Sequence, residues 1–239
     1  MAANAAPERR TRIFALEQYN LKAGTQLPRL HEFLGQSLAP AMNRFHSGPQ
    51  IYLEAIIAAH TPQVLALYGF ASLDEAWGVH TKVESDETLA KKMEALEAGE
   101  PAFEWLDTSL LEAADYSPEI TNSAEGATPR IFELRVYHSP TFRQLSALHE
   151  RFRGPEIKIF HRAGIHPILY SSTLAGQNMP NLTYLIPFAD LAAREKAWAA
   201  FNADPEWQKV RKESVEKSGQ IASVIQVSIY HATAYSPVK

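Results

Sequence analysis

The sequence reads as an α+β protein made from two copies of one β-α-β-β-α-β unit, and three observations carry that reading. Ile131-Phe132-Glu133-Leu134-Arg135-Val136-Tyr137 nearly repeats Ile13-Phe14-Ala15-Leu16-Glu17-Gln18-Tyr19, and 131 less 13 is an offset of 118 positions. The same offset pairs Leu30-His31-Glu32 with Leu148-His149-Glu150, Tyr52 with Tyr170, Leu67 with Leu185, Phe70 with Phe188 and Leu73 with Leu191. Between these marks, strand-like alternation and helical three- and four-residue steps follow one another in the same order in both halves.

The first unit opens with a strand over 13–19, with Phe14, Leu16 and Gln18 on one face and Ala15, Glu17 and Tyr19 on the other. Leu27, Leu30, Phe33, Leu34, Leu38, Met42 and Phe45 recur with a helical period, which predicts a helix over 27–45 that Gly48-Pro49 ends. Two β-branched, apolar runs, 51–58 and 64–70, flank His60-Thr61-Pro62-Gln63 and predict a hairpin. A helical region follows from Ser72 to Gly99, with Ser85 placed to cap a fresh start inside it. A last strand is predicted over 103–111, and Tyr116-Ser117-Pro118 ends the unit.

Residues 119–130 are polar and rich in turn formers, and read as a linker between domains at 13–118 and 131–237. The second unit has a strand over 131–137 and a helix over 141–160 that Pro155 must kink or split, because proline lacks the N–H and crowds the preceding turn. Strands at 168–174 and 182–188 follow, around Gly176-Gln177-Asn178. A helix over 189–201 restarts at Asp204-Pro205, with Asp204 as cap and Pro205 in the first turn. A strand over 222–232 and Tyr235-Ser236-Pro237 close the chain.

This element order is the ferredoxin-like split βαβ, a four-stranded antiparallel sheet with both helices on one face. The other face is too apolar to be left in water. Two sheets closing against each other solve that problem, within one chain as a pseudo-dimer or between chains as a homo-oligomer. On this reading Phe132, Leu134 and Val136 hold the helices, while Glu133, Arg135 and Tyr137 look away from them.

Composition removes several function classes. The 239 residues contain no cysteine, so disulfides, thiolate nucleophiles and cysteine-ligated metals are excluded. A formal net charge of −4 gives no basic stripe for nucleic acid. No apolar run is long enough to span a bilayer. Met1–Arg12 lacks the apolar core of a signal peptide, which predicts a cytoplasmic protein, or an exported one where a leader has been removed. No phosphate-binding glycine loop and no Gly-x-Ser-x-Gly element occurs.

Phe132-Glu133-Leu134-Arg135-Val136-Tyr137, Asn181-Leu182-Thr183-Tyr184-Leu185, Phe201-Asn202-Ala203-Asp204-Pro205-Glu206-Trp207 and the closing Tyr-Ser-Pro resemble the NIPSNAP family. The first unit is similar but lacks the Asp-Pro-x-Trp element. The resemblance implies a dimeric α+β barrel, in a superfamily that includes cofactor-independent monooxygenases, haem-degrading enzymes and dye-type peroxidases. It implies no settled chemistry and no agreed catalytic residues, and a fold does not fix a function.

The residues singled out for ligand binding are Glu17, Tyr19, Glu133, Arg135, Tyr137, His149, His161 and Tyr170. Glu17 and Arg135 occupy equivalent positions, and facing sheets would bring them together as a polar anchor in an apolar cavity or as a structural ion pair. His149 and His161 suit haem ligation or proton transfer, although duplication alone accounts for their pairing with His31 and His46. His161 and His166 lack a zinc spacing, and no metal site is expected. No cofactor is expected either, with haem as the alternative. The leading functional expectation is a small apolar or aromatic ligand held between sheet and helices, one cavity per unit. The alternatives are a cofactor-independent monooxygenase or haem-handling enzyme, and an assembly module without ligand.

Overall fold

The computed structural model describes residues 10–239. Its first half runs β1 (Ile13–Asn20), α1 (Gln26–Phe33), a π-helical turn (Leu34–Leu38), α2 (Ala39–Phe45), β2 (Gln50–Ile57), β3 (Gln63–Phe70), α3 (Leu73–Glu84), α4 (Glu87–Glu97) and β4 (Trp105–Ala113). The second runs β5 (Ile131–His138), α5 (Phe142–Arg151), a π-helical turn (Phe152–Glu156), α6 (Ile157–Arg162), β6 (Leu169–Ala175), β7 (Asn181–Phe188), α7 (Leu191–Ala203), α8 (Pro205–Ser218) and β8 (Val224–Ala232). The 118-residue offset carries β3 onto β7 and one π turn onto the other, residue for residue.

Both long helices of the sequence reading are therefore interrupted. Pro155 produces the predicted break, with Gly154 in a non-helical conformation beside it. The prediction of an unbroken helix over 27–45 fails for the same kind of reason. Pro40, in the first turn of α2, has no N–H to offer and crowds the preceding carbonyls, and the π turn absorbs the misfit. The break between α3 and α4 falls where expected, but its cap is Asp86 rather than Ser85: Asp86 Oδ1 accepts from Leu89 N at 2.8 Å. At the start of α8, Asp204 Oδ1 accepts from the amides of Glu206 and Trp207 as the sequence implied.

The first half forms the antiparallel order β4-β1-β3-β2 and the second β6-β7-β5-β8. The two join edge to edge, β2 to β8 and β4 to β6, so that eight strands close into one barrel within a single chain. Closure leaves no unpaired sheet edge.

Closure also decides what each strand face meets. Phe14 and Leu16 of β1, Ile51 and Leu53 of β2, Leu65 and Leu67 of β3, Phe132 and Leu134 of β5 and Leu185 of β7 pack together inside the barrel. The alternate residues meet helices: Tyr19, Tyr52, Ala66 and Tyr68 join α1–α4, and Tyr137, Tyr170, Tyr184 and Ile186 join α5–α8. This inverts the face assignment made from the sequence for Phe132 and Leu134 against Glu133, Arg135 and Tyr137. The physical reason lies in α7, which supplies hydrogen-bond donors for Glu133, whereas the barrel interior offers only the side chains of other strands. Period-two alternation separates two faces but does not say which one the helices cover.

The two Tyr-Ser-Pro segments act reciprocally. After β4, Tyr116 packs edge-on against Tyr170 with ring centroids 5.3 Å apart, and Ser117 Oγ accepts from Tyr170 N at 3.0 Å. After β8, Tyr235 lies against Tyr52 at 5.3 Å, and Ser236 Oγ accepts from Tyr52 N at 3.1 Å. Each half thus ends by clasping a strand of the other. Ile120, in the stretch read as linker, and Val238 then close on the barrel interior. Among the described residues no helix is long and apolar enough to cross a membrane.

Removing either serine oxygen strands a buried backbone N–H. Ser117→Ala and Ser236→Ala are each expected to lower unfolding free energy by about 1–3 kcal/mol in urea denaturation. An effect near zero for both would mean that the clasps do not hold the halves together.

Candidate functional site

The helix-facing side of β1 presents Ala15, Glu17 and Tyr19. Register sets Ala15 opposite Tyr68 of β3 and Leu110 of β4, Glu17 opposite Ala66 and Thr108, and Tyr19 opposite Leu106. These side chains form a floor. Phe33, Leu38, Met42, Val79, Val83 and Leu89 form the roof, and between them lies a cavity of about 960 Å³.

The cavity exists because this layer carries smaller side chains than its repeat. At the 118-residue offset, Ala15 corresponds to Glu133, Ala76 to Arg194, His80 to Trp198, Val83 to Phe201 and Met42 to Phe160. In the second half those larger groups fill the same space. Glu133 Oε2 accepts from Arg194 Nε at 2.5 Å and from Trp198 Nε1 at 3.0 Å, and its Oε1 accepts from Arg135 Nε. Arg135 Nη1 donates to the Tyr137 hydroxyl at 2.9 Å, and its guanidinium carbon lies 3.7 Å from the Trp198 ring centroid. Phe160 meets Phe201 at 4.7 Å and Trp198 at 5.6 Å between ring centroids. The expectation of one cavity per unit is corrected on this ground: the second layer is packed, and the first is open.

Polar groups in the open layer are few. The Tyr19 hydroxyl donates to Glu17 Oε2 at 2.6 Å. Burial pushes the Glu17 carboxyl above its usual range, against the Tyr19 hydrogen bond and the charge of His80, which pull it down. Tyr68 is buried, with its ring beside Tyr52, and its hydroxyl meets that of Tyr52 alone. His80 and Trp77 line the space from α3, where His80 pairs with Glu84 at 3.2 Å and Trp77 is 70% exposed.

Of the residues singled out in the sequence, Glu17 and Tyr19 line this cavity. Glu133, Arg135 and Tyr137 belong to the packed second layer, as does Tyr170, whose hydroxyl is buried without a partner. Glu17 and Arg135 are not brought together. Each bonds to neighbours on its own strand, under a different set of helices. His149 is held between the Tyr116 hydroxyl at Nδ1 and Ser172 Oγ at Nε2, both at 2.7 Å, and burial lowers its affinity for a proton. His161 stacks on His166, with ring centroids 4.9 Å apart, on the exposed side of α6.

The two histidines singled out for haem are not placed to ligate it. Both nitrogens of His149 are already bonded, and His161 lies on the exposed side of α6, outside the apolar layers. Among the described residues no group of three His, Asp or Glu side chains could hold a metal ion. Sequence reasoning missed Tyr68, Ala76, His80 and Val83. The signal was present in the repeat, since each small residue faces a larger one 118 positions on, except Tyr68, which replaces Ile186.

Comparison with known proteins bears on this geometry. Residues 132–237 match the NIPSNAP family. The matched segment is thus the half with the packed layer, and the open layer lies in the half outside the matched span. No curated protein matches the chain. Among solved structures it is similar to an anthrone oxidase-like protein, at 12% identity and TM-score 0.56 over 94% of this chain and 92% of that one. A candidate monooxygenase from Lactobacillus acidophilus NCFM shares 12% identity and TM-score 0.56, over 92% and 93% of the two chains. A variant of chlorite dismutase from Candidatus Nitrospira defluvii shares 8% identity and TM-score 0.51, over 94% and 92%. At such identities the likeness is one of fold, the dimeric α+β barrel.

The two carboxylates should respond oppositely to neutralisation. Glu133→Ala leaves the half-buried Arg135 without a carboxylate and Arg194 with only the exposed Glu195, and should cost about 3 kcal/mol of unfolding free energy in urea. Glu17 holds its proton more tightly folded than unfolded, so its contribution to stability falls as pH rises above 4.5 toward its raised folded value. Glu17→Gln removes that loss. The variant should gain stability relative to the parent between pH 4.5 and 7, and a relative loss over that interval would contradict the placement of Glu17 in an apolar layer.

Proposed function

We propose that the protein binds a small, largely apolar or aromatic molecule between β1, β3 and β4 and the helices α1–α4. The observation that supports this is the systematic loss of side-chain volume in one layer while its repeat stays packed. Cores collapse or refill when volume is lost without a use for it. A cavity of about 960 Å³ with apolar walls and a few convergent polar groups has the character of a ligand site. The NIPSNAP half serves on this reading as the packed partner that closes the barrel.

A second reading, cofactor-independent oxidation of the bound aromatic molecule, is favoured by one feature. Glu17 is a carboxyl with raised proton affinity inside an apolar pocket, suited to taking a proton from a bound phenol or activated C–H. The fold shared with the candidate monooxygenase agrees with that reading. Oxygen consumption with an aromatic substrate, lost in Glu17→Gln, would favour it over binding alone.

Binding is tested with the neutral fluorophore N-phenyl-1-naphthylamine. The parent protein should enhance its fluorescence saturably. Val83→Phe and Met42→Phe, which install the residues of the packed repeat, should each weaken binding by about tenfold or more, as expected when the occupied volume is refilled. Unchanged affinity in both variants would place the probe elsewhere and contradict the proposal.

A further inference from the structure

The two layers differ in charge as well as in volume. Each has a carboxylate on its first strand, Glu17 in the open layer and Glu133 in the packed one. Glu133 is neutralised from within, by Arg135 and by Arg194, with the Arg135 guanidinium stacked on Trp198. In the open layer both cations are gone, since Glu17 itself stands at the Arg135 position and Ala76 at the Arg194 position. Among the described residues, the charged groups that line the cavity are Glu17, Asp74 and Glu84, with His80 as the basic group and no lysine or arginine.

Resting on the cavity reading above, we infer that the ligand class is an apolar or aromatic amine, whose ammonium group takes the place that guanidinium fills in the packed repeat. A buried carboxylate without a cation is costly, and a cation delivered with the ligand offsets that cost. Tyr68 supplies a second acceptor. Its residue sits opposite Ala15, two positions along β1 from Glu17, and its buried hydroxyl, which gives its proton to Tyr52, keeps its oxygen lone pairs as acceptors. An ammonium group has three N–H donors, so it can satisfy Glu17 and Tyr68 together. At the mouth, the exposed indole of Trp77 offers a ring face that attracts cations on entry. His80 is the group that opposes a second positive charge, and its pairing with Glu84 moderates that.

The test compares three probes that share one ring system: 1-naphthylmethylamine, 1-naphthalenemethanol and 1-naphthoate, titrated into the full chain by calorimetry at pH 7. The amine should bind about tenfold or more tighter than the alcohol, and the carboxylate weakest of the three. Glu17→Gln, nearly isosteric, should bring the amine-to-alcohol ratio to within about twofold of unity. Equal binding of amine and alcohol by the parent protein, or tightest binding of naphthoate, would overturn the amine inference and leave the cavity reading standing. Binding of none of the three would overturn the cavity reading, and the inference with it.

Discussion

The seams β2–β8 and β4–β6 are the constraint on which the other features depend. An isolated four-stranded sheet with helices on one face would expose Phe14, Leu16, Phe132 and Leu134 to water. Joining the sheets edge to edge buries that face in a common interior and pairs every outer strand. The reciprocal Tyr-Ser-Pro clasps work in the same direction, because each ties the end of one half to a strand of the other. Neither half could keep its present packing if the other were removed.

Closure frees the helix layers from the task of joining the halves. The layer of the second half is dense, with Phe152, Phe160 and Tyr184 fully buried and a satisfied ionic cluster around Glu133. Such a layer contributes stability and specificity of packing. The other layer keeps the same backbone plan and has lost bulk at Ala15, Ala76, His80 and Val83. A duplicated fold can tolerate one hollow layer when the remaining layer and the shared barrel interior hold the structure. That division leaves Glu17 of the hollow layer without an arginine or lysine partner, whereas the buried carboxyls of the packed half, Glu133 and Glu156, are paired with arginines.

Much of the fold was legible in the sequence because it rests on local signals repeated twice. The strand β1 and its copy β5, the hairpin β2–β3, the break at Pro155 and the Asp204 cap all announce themselves through periodicity, proline and capping chemistry. Three features were not legible in that way. The break at Leu34–Leu38 depends on Pro40 acting backward on the preceding turn. The face assignment of Glu133 depends on Arg194 and Trp198, about sixty residues away on another element. The site itself depends on a comparison between halves that the motifs obscure, since motifs mark what is shared, and the cavity arises from what differs. Glu17 and Tyr19 were found because they alternate on a strand; Val83 and Ala76 look like ordinary helix residues until set beside Phe201 and Arg194.

The central claim is that one helix layer is hollow and its repeat is filled. Apolar cavities take up xenon, whereas packed layers do not. A crystal of the protein pressurised with xenon should show bound atoms between β1 and α3, near Val83 and Tyr68, and none between β5 and α7. Xenon in both layers, or a first layer collapsed onto its strands with none, would contradict the account.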